Sequence, residues 1–356
     1  MSSPDPAPPG AEPIPAEQAD TGLLVSELSE GELLARIFPR LANSAERSAV
    51  LLGPGDDAAL VAAPDGRVLI STDTLVQNQD FRLLWNSGFR STGFDVGWKA
   101  AAQNLSDMNA MGAEATALVV SLSLPGTIPV SWVEGVADGL VAGIERLGAQ
   151  RCSVVGGDLS AASELSLTIT VLGDLGGRAP VLRSGSRAGD VLAHCGNLGR
   201  ASAGWALVEH PLNFRSWTEG QRSLVDLFAR PVPPLSAGPA AAAAGATAML
   251  DVSDGLLRDA QRLARASGVS LELFREALAE LATPLEEIAS LPEFNGLERI
   301  LGGGEDYGLL ATFPAGGALP DGFRVIGSVG SDDEEAGRVT LDGQPRVAMG
   351  WDHFAD

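Results

Sequence analysis

Apolar runs that end in acidic turns or acidic helix faces recur along this chain, and they constrain its fold more than any other feature. The pattern occurs at five places: GPGDDAAL, STDTL, NLSDMNAMG, VVGGDLS and LDVSDGL. Short strand-like runs alternate with helical patterns between these places, which is typical of an α/β fold. The sequence therefore predicts an α/β (α+β) protein whose acidic turns can converge.

The length of the chain, 356 residues, favours two domains. Residues 1–26 are rich in Pro, Ala and acid, and we expect a disordered tail there. We expect an N-terminal domain over 27–178 and a C-terminal domain over 179–356, separated near the Gly- and Arg-rich segment GDLGGRAPVLRSGSRAGD. The turn signature Pro64-Asp65-Gly66 between two apolar runs predicts a β-hairpin.

A helix is predicted from about Asp95 to Met111, because the run is helical in pattern and is followed by a glycine. Lys99, Gln103 and Asp107 are spaced four residues apart and should share one face of this helix. Lys99 is the sole lysine in the chain, and we expect it to neutralise Asp95 or Asp107.

Composition excludes several classes of function. The net charge of -22 argues against nucleic acid or an anionic membrane as a partner. The two cysteines, Cys152 and Cys195, lack CxxC spacing, so neither a disulfide framework nor a zinc site is indicated. No signal-peptide pattern and no apolar run of membrane-spanning length occurs, and we expect a cytoplasmic protein. There is no GxxxxGK[ST] loop and no GxSxG elbow.

The acidic turns point to metal chemistry if they converge. Aspartate is also favoured in turns and at helix N-termini, so any single one of them can be structural. Two unit charges about 4 Å apart repel by roughly 4 kcal/mol at an effective dielectric of 20, and Mg²⁺ would relieve that repulsion. In LGGGEDYGLL two further acids, Glu305 and Asp306, are candidates for binding a cationic substrate.

The full set of motifs resembles one family. GPGDDAAL, STDTLVQNQDF, GWKAAAQNLSDMNAMGA, VVGGDLS, VLRSGSRAGD, LDVSDGL, GGGEDYGLL and GWDHF occur in the order and approximate spacing seen in thiamine-monophosphate kinases, over about residues 27–356. The resemblance implies the two-domain fold of aminoimidazole ribonucleotide synthetase. In that fold an N-terminal mixed sheet with helices dimerises, and a C-terminal α/β domain completes the active site.

The resemblance also implies site residues. Asp80 stands where family members often have His, and an acid there could suit a cationic thiazolium. The roles carried over are catalysis by Asp57, Asp73, Asp107 and Asp254; Mg²⁺ ligation by Asp57, Ser71, Thr72, Asp73, Asp107, Asp158, Asp251 and Asp254; nucleotide contacts by Gly157, Asp158, Arg183 and Ser253; and thiamine-phosphate contacts by Asp80, Glu305, Asp306 and Trp351.

The activity implied by the resemblance is ATP-dependent phosphorylation of thiamine monophosphate to thiamine diphosphate, a step of thiamine biosynthesis. The transfer is expected to be direct and in line, with several Mg²⁺ ions, ATP as co-substrate and a place for K⁺. The expected partners are thiamine monophosphate, ATP and a second copy of the chain. The alternatives are another ATP-dependent enzyme of the same superfamily, or a thiamine-phosphate or nucleotide sensor without catalysis.

Overall fold

The computed structural model describes residues 22–41, 49–52, 58–211, 213–291, 294–331, 336–347 and 349–351. Its helices are α1 Glu30–Leu41, α2 Gly93–Ala110, α3 Val130–Arg146, α4 Arg200–Glu209, α5 Glu219–Ala229, α6 Ala237–Ala243, α7 Leu256–Ser267, α8 Arg275–Ala282 and α9 Gly296–Gly302. Its strands are β1 Val50–Leu52, β2 Leu60–Val61, β3 Leu69–Val76, β4 Glu114–Leu124, β5 Ser153–Ala161, β6 Ser166–Asp174, β7 Val191–Cys195, β8 Ala248–Val252, β9 Leu271–Leu273, β10 Gly308–Phe313, β11 Arg324–Val329, β12 Val339–Leu341 and β13 Gln344–Pro345.

The N-terminal half is built on a four-stranded sheet in the order β3-β6-β4-β5. The β3–β6 and β6–β4 pairs are antiparallel and the β4–β5 pair is parallel, so the sheet is mixed, as predicted. One face packs on α2 and α3 through a core that includes Leu118, Leu167 and Ile169. The opposite face carries a row of hydroxyl groups, of which Thr74 and Thr168 hydrogen-bond to each other at 2.9 Å.

Glycines allow α2 and α3 to cross at close range. A Cβ atom added to Gly97 would lie 2.2 Å from the carbonyl oxygen of Val136, and one added to Gly139 would lie 2.1 Å from that of Phe94. The α2 helix begins at a capping box in which Thr92 accepts from the backbone of Asp95. The predicted helix is therefore confirmed, within two residues at its start.

The C-terminal half is built on a seven-stranded sheet in the order β13-β12-β9-β11-β7-β10-β8. All its pairs are antiparallel except β12–β9. The larger core lies on the face covered by α4, α5 and α7 and includes Leu207, Leu250 and Leu263. A smaller cluster around Met249 and Leu309 packs on α6 from the other face. Helices thus cover both sides of this sheet, and the α/β expectation holds for both halves.

Two local expectations differ from the structure. The strands on either side of Pro64-Asp65-Gly66 do not form a hairpin, because β2 pairs with β1 and β3 pairs with β6 over its whole length. The eight-residue β3 satisfies far more backbone groups on β6 than it could on the two-residue β2. In the segment assigned to the tail, Val25 donates its N–H to the carbonyl of Ile128 at 2.9 Å.

The α2 helix also joins the two halves. Trp98 donates from Nε1 to the carbonyl of Pro231 at 2.8 Å, and Asp95 forms an ion pair of 3.1 Å with Arg230. Most side chains of α2 are buried, so one helix is held from both sides and fixes the domains relative to each other. No helix in the described part of the chain is long and apolar enough to span a membrane.

Candidate active site

A cleft of about 820 Å³ lies between the two halves. The N-terminal half contributes β3 and α2 to its wall. The C-terminal half contributes the turn after β8, the segment that follows α9, and the last described residues. Residues from both sheets therefore face one space, and α2 runs along it. The residues that line the cleft include Ser71, Asp73, Asp80, Gln103, Asp107, Arg183, Phe228, Asp251, Ser253, Asp254, Glu305, Tyr307 and Trp351.

Four of the predicted aspartates converge at one end of this cleft. Burial, and after it the charge of Asp107, raise the pKa of Asp73 to about 6. The same two causes, in the same order, raise the pKa of Asp251 to about 7. Asp254 also repels Asp73. Since β3, α2 and the end of β8 deliver these carboxylates to one place, the convergence comes from both domains.

Hydroxyl donors hold two of the acids in place. Ser71 donates from Oγ to Oδ2 of Asp107 at 2.5 Å, and Ser106 donates to Oδ2 of Asp251 at 2.8 Å. Burial raises the pKa of Asp107, while the Ser71 hydrogen bond and the Arg183 charge oppose that rise. A buried carboxylate needs such donors, because an unpaired one is costly to desolvate.

Asp254 has a cation partner that the sequence did not suggest. Arg262 on α7 approaches Oδ2 of Asp254 at 2.5 Å and Oδ1 of Asp259 at 2.7 Å. Asp259 in turn accepts from the backbone N–H of Asp254 at 3.0 Å, and burial raises its pKa to about 6. One turn of α7 separates Arg262 from Asp259, so the helix brings the guanidinium to both acids.

The acidic end suits Mg²⁺ by its chemistry, since its donors are carboxylate and hydroxyl oxygens. Within the described ranges, no three His, Cys, Asp or Glu side chains already surround a single point at metal-binding distance. Asp57, a predicted ligand, lies outside the described residues. Mg²⁺ commonly keeps some of its waters and binds phosphate oxygens as well as one or two carboxylates. It can therefore bind to acids that do not surround a single point.

The structure places three predicted ligands or nucleotide contacts elsewhere within this chain. Gly157 and Asp158 lie on β5, the edge strand of the sheet opposite to β3. Three strand spacings separate these edges, about 14 Å. Thr72 lies on β3, but it donates from Oγ1 to the carbonyl of Ile169 at 2.9 Å and does not line the cleft. The single chain therefore brings together only part of the predicted set.

Asp306, a predicted substrate contact, points away from the cleft. Its Oδ2 accepts from the N–H of Gly199 at 2.5 Å and its Oδ1 from that of Ala201 at 2.9 Å. Burial raises its pKa to about 7, and these backbone donors oppose the rise. The carboxylate of Asp306 thus accepts from backbone N–H groups at the start of α4, and it supports the loop before Tyr307. Glu305 faces the cleft.

The other end of the cleft holds Glu305 and Lys99. Lys99 Nζ lies 2.5 Å from Oε1 of Glu305, so the expectation that it would neutralise Asp95 or Asp107 is wrong. Asp95 pairs instead with Arg230. Burial raises the pKa of Glu305, and Lys99 opposes that rise.

The last described residues close one side of the cleft. Trp351 donates its backbone N–H to the carbonyl of Asp254 at 3.0 Å, and its own carbonyl accepts from Arg258. Its side chain is 45% exposed and lines the cleft. A predicted aromatic contact is therefore held beside the acidic turn by its backbone.

Sequence reasoning missed the roles of Gln103 and Tyr307. The side chain of Gln103 hydrogen-bonds to Asp73, and the Oη of Tyr307 lies 3.5 Å from Oε1 of Gln103. Tyr307 has a left-handed backbone, with φ of 52°, which few residues of its size adopt. The four-residue spacing of Lys99, Gln103 and Asp107 could have indicated a role for Gln103. It places Gln103 between two residues that each meet a different part of the site.

Both halves of the chain match models of one protein family. Residues 55–175 match the family model described as AIR synthase related protein, N-terminal domain. Residues 187–339 match the family model of the corresponding C-terminal domain. A thiamine-monophosphate kinase of Mycobacterium tuberculosis is 45% identical over 311 residues, which are 86% of this chain and 87% of that protein. One of Salmonella typhimurium is 33% identical over 92% of this chain and 98% of its own. The chain belongs to the thiamine-monophosphate kinase family.

Solved structures agree with this assignment. The thiamine-monophosphate kinase from Stenotrophomonas maltophilia K279a matches with a TM-score of 0.74 and 30% identity, over 90% of this chain and 98% of its own. AaThiL complexed with AMPPCP and TMP matches with a TM-score of 0.71 and 29% identity, over 94% of this chain and 100% of its own. The hydrogenase maturation protein HypE in complex with ATP, at 18% identity and a TM-score of 0.63, shares the fold.

Proposed function

We propose that the cleft transfers the γ-phosphoryl group of ATP to thiamine monophosphate, giving thiamine diphosphate and ADP. The observation that carries this proposal is the polarity of the cleft along α2. Asp107 lies at the acidic end of the cleft, and Lys99 lies at the opposite end, next to Glu305. The two residues are eight positions, or about 12 Å, apart along the helix. A substrate with phosphate at one end and a cationic ring at the other fits this arrangement.

The acidic end would hold Mg²⁺ through Asp73, Asp107, Asp251 and Asp254, with Ser71 beside them and Asp57 as a further ligand. Bound Mg²⁺ would neutralise the charge that develops on the phosphate oxygens during transfer. Arg183 and Ser253 line the same end and are suited to hold nucleotide phosphates.

No general base is needed in this reaction, because the acceptor phosphate is already a nucleophile. The residues of the chain act by positioning the two phosphates in line and by matching their charge. The buried carboxylates hold metal in this scheme and do not exchange protons with the substrate. K⁺ could serve as an additional cation at the same end.

We also propose that two copies of the chain form the functional unit. The strands β3 and β5 are both sheet edges, and edge strands present unpaired backbone groups. Two four-stranded sheets related by a two-fold axis can close into one barrel if β3 of one copy pairs with β5 of the other. This closure would place Asp158 beside the acids of the other copy, and it would cover the exposed side chain of Ile70, which is 67% exposed.

Mixing two inactive variants tests this arrangement. Asp158→Asn and Asp107→Asn proteins, each inactive alone, would exchange subunits into mixed dimers with one intact site. Recovery of up to about a quarter of wild-type activity is expected, since half the dimers are mixed and each has one good site. A monomer by sedimentation, or no recovery after proven exchange, would contradict the shared site.

We place the reaction in the cytoplasm. Cys152 and Cys195 are both buried and form no disulfide, which is ordinary for a reducing compartment. The net charge of -22 supports small anionic ligands bound with metal over nucleic acid or an anionic membrane.

The decisive experiment follows both products. Purified protein is incubated with Mg-ATP and K⁺, with and without thiamine monophosphate, while ADP and thiamine diphosphate are quantified by chromatography. Equal amounts of both products, formed only with the acceptor, support the proposal. ADP without thiamine diphosphate would favour another ATP-dependent reaction of the superfamily, and binding without either product would favour a sensor.

A further inference from the structure

The only lysine in the sequence, Lys99, lies beside the cleft at the end that holds Glu305. Lys99 is 3% exposed, and its Nζ contacts Oε1 of Glu305 at 2.5 Å. The same ammonium donates to the backbone carbonyl of Asp80 at 3.2 Å and lies 4.4 Å from the ring centroid of Phe228. One cation thus ties together a helix, the turn after β3 and a loop from the other domain.

Glu305 is held by its backbone as well as by Lys99. Its φ of 66° lies in the left-handed region, which is unusual for glutamate. Its N–H donates to the carbonyl of Ser253 at 2.7 Å. These restraints turn its side chain into the cleft while the next residue, Asp306, turns toward α4. Such strain is maintained where surrounding contacts fix it, and it is frequent at functional sites.

The charges at this end add up to one negative unit. Lys99 offsets Glu305, and Asp80 adds a second carboxylate, which accepts from the N–H of Val76 at 2.7 Å. Tyr307 directly precedes β10 and lies near Glu305, and burial raises the pKa of Tyr307 well above its ordinary value, so it is neutral. A single net negative charge matches a ring with one positive charge. Without Lys99, two partly exposed carboxylates would repel each other with no cation between them.

We propose that Lys99 is a positioning residue for the acceptor: it keeps Glu305 charged and fixed in the cleft, so that Glu305 and Asp80 together bind the cationic ring of the substrate. This inference rests on the proposed function for the identity of the acceptor. Lys99 itself does not line the cleft and acts through Glu305. Its loss should therefore affect the acceptor and leave nucleotide binding unchanged.

Steady-state kinetics separate this role from a structural one. Lys99→Met should raise the KM for thiamine monophosphate about tenfold at pH 7, the cost of losing one charged hydrogen bond, with the KM for ATP within twofold. Burial raises the pKa of Glu305 and Lys99 opposes that rise, so without Lys99 the carboxyl should hold its proton more readily and the defect should shrink as the pH rises. A pH-independent defect, an equal change in the KM for ATP, or tighter acceptor binding would overturn the proposal. Arg275→Met, which removes an exposed cation paired with Asp342, is the matched control.

A double-mutant cycle tests whether Lys99 acts through Glu305. Lys99→Met and Glu305→Gln are measured singly and combined, with acceptor KM as the readout. If Lys99 works through Glu305, the double variant should behave like Glu305→Gln alone. Effects that multiply would overturn the proposal. The double variant replaces the Lys99–Glu305 ion pair with two neutral side chains, so it is expected to fold even where Lys99→Met does not.

The solitary lysine also allows a test without turnover. Protein labelled with ¹³C at lysine Cε gives one lysine side-chain resonance, whose position reports the environment of the Lys99 ammonium. It should shift in Glu305→Gln and on adding thiamine monophosphate, and should stay within its linewidth on adding ATP analogue alone. A resonance at the position of a free lysine, or one indifferent to the acceptor, would overturn the proposal. Wild-type protein that binds the acceptor but forms no thiamine diphosphate would refute the proposed function alone.

Discussion

Ser106 on α2 donates its hydroxyl hydrogen to Asp251 on β8 at 2.8 Å, and this bond joins the two domains at the acidic end of the cleft. Ser106 is fully buried and Asp251 is 6% exposed. Because Ser106 is shielded from solvent, its hydroxyl is the donor that Asp251 meets on the side of α2. The serine of the NLSD motif thereby sets the geometry of an acid from the other half of the chain.

Ser106→Ala should therefore weaken both stability and turnover. Leaving a buried acceptor unsatisfied costs about 1–3 kcal/mol, and the free energy of unfolding should fall by that amount. We expect a lower kcat and a higher Mg²⁺ concentration at half-maximal rate, because Asp251 loses its orientation. Urea unfolding and an Mg²⁺ titration of the rate measure these effects. Ser216→Ala, which removes an exposed turn hydrogen bond, should change neither.

Asp107→Asn should separate activity from stability. The charge of Asp107 raises the pKa of both Asp73 and Asp251, so removing it relieves repulsion in the folded state. We expect turnover to fall by about a hundredfold or more through lost charge stabilisation, while Tm stays equal or rises. Product assays and calorimetry measure this, with the exposed Asp321→Asn as control. Near-normal turnover at saturating Mg²⁺ would contradict the ligand role.

The crossing of α2 and α3 should tolerate no side chain at Gly139. A methyl group there would lie 2.1 Å from the carbonyl oxygen of Phe94, and backbone atoms cannot move aside cheaply. Gly139→Ala should lower the free energy of unfolding by about 2 kcal/mol or more. Gly31→Ala, in α1 with no atom within 4 Å of its added methyl, should instead be neutral or stabilise by up to about 1 kcal/mol. Equal effects at both positions in denaturant unfolding would contradict the close crossing.

His194 should make the protein sensitive to acid. Burial lowers its pKa to about 3, below the ordinary value of 6.5 that applies when the chain unfolds. Between these values the unfolded chain binds a proton that the folded chain excludes, so stability is lost as pH falls below 6.5, by up to about 1.4 kcal/mol per unit.

His194→Leu provides the comparison that isolates this effect. Buried acids such as Asp306, whose pKa is raised, have the opposite pH dependence, but they are present in both proteins and cancel in the difference. The free energy of unfolding is measured in urea from pH 7.5 to 5 for both proteins. Below pH 6.5 the value for the variant should rise relative to that of the wild type, and above pH 6.5 the difference between the two should be constant. Parallel curves over the whole range would contradict a neutral buried histidine.

The sequence by itself determined the local features of this protein. The period of α2 put Lys99, Gln103 and Asp107 on one face, because helical spacing depends only on the backbone of that segment. Alternating apolar runs indicated both sheets, since the side-chain period of a strand is also local. The order of the acidic motifs was sufficient to place the chain in its family.

Only the tertiary structure decided which side chains meet. Lys99 could not be matched to Glu305 from its own helix, because that partner comes from the other half of the chain. Glu305 and Asp306 are equivalent acids in the sequence, yet the left-handed backbone at Glu305 turns one into the cleft and the other toward α4. Pairing of β3 with β6 likewise overrode the turn signal at Pro64-Asp65-Gly66. Long-range contacts decide such choices because they satisfy more buried groups than any local pattern can.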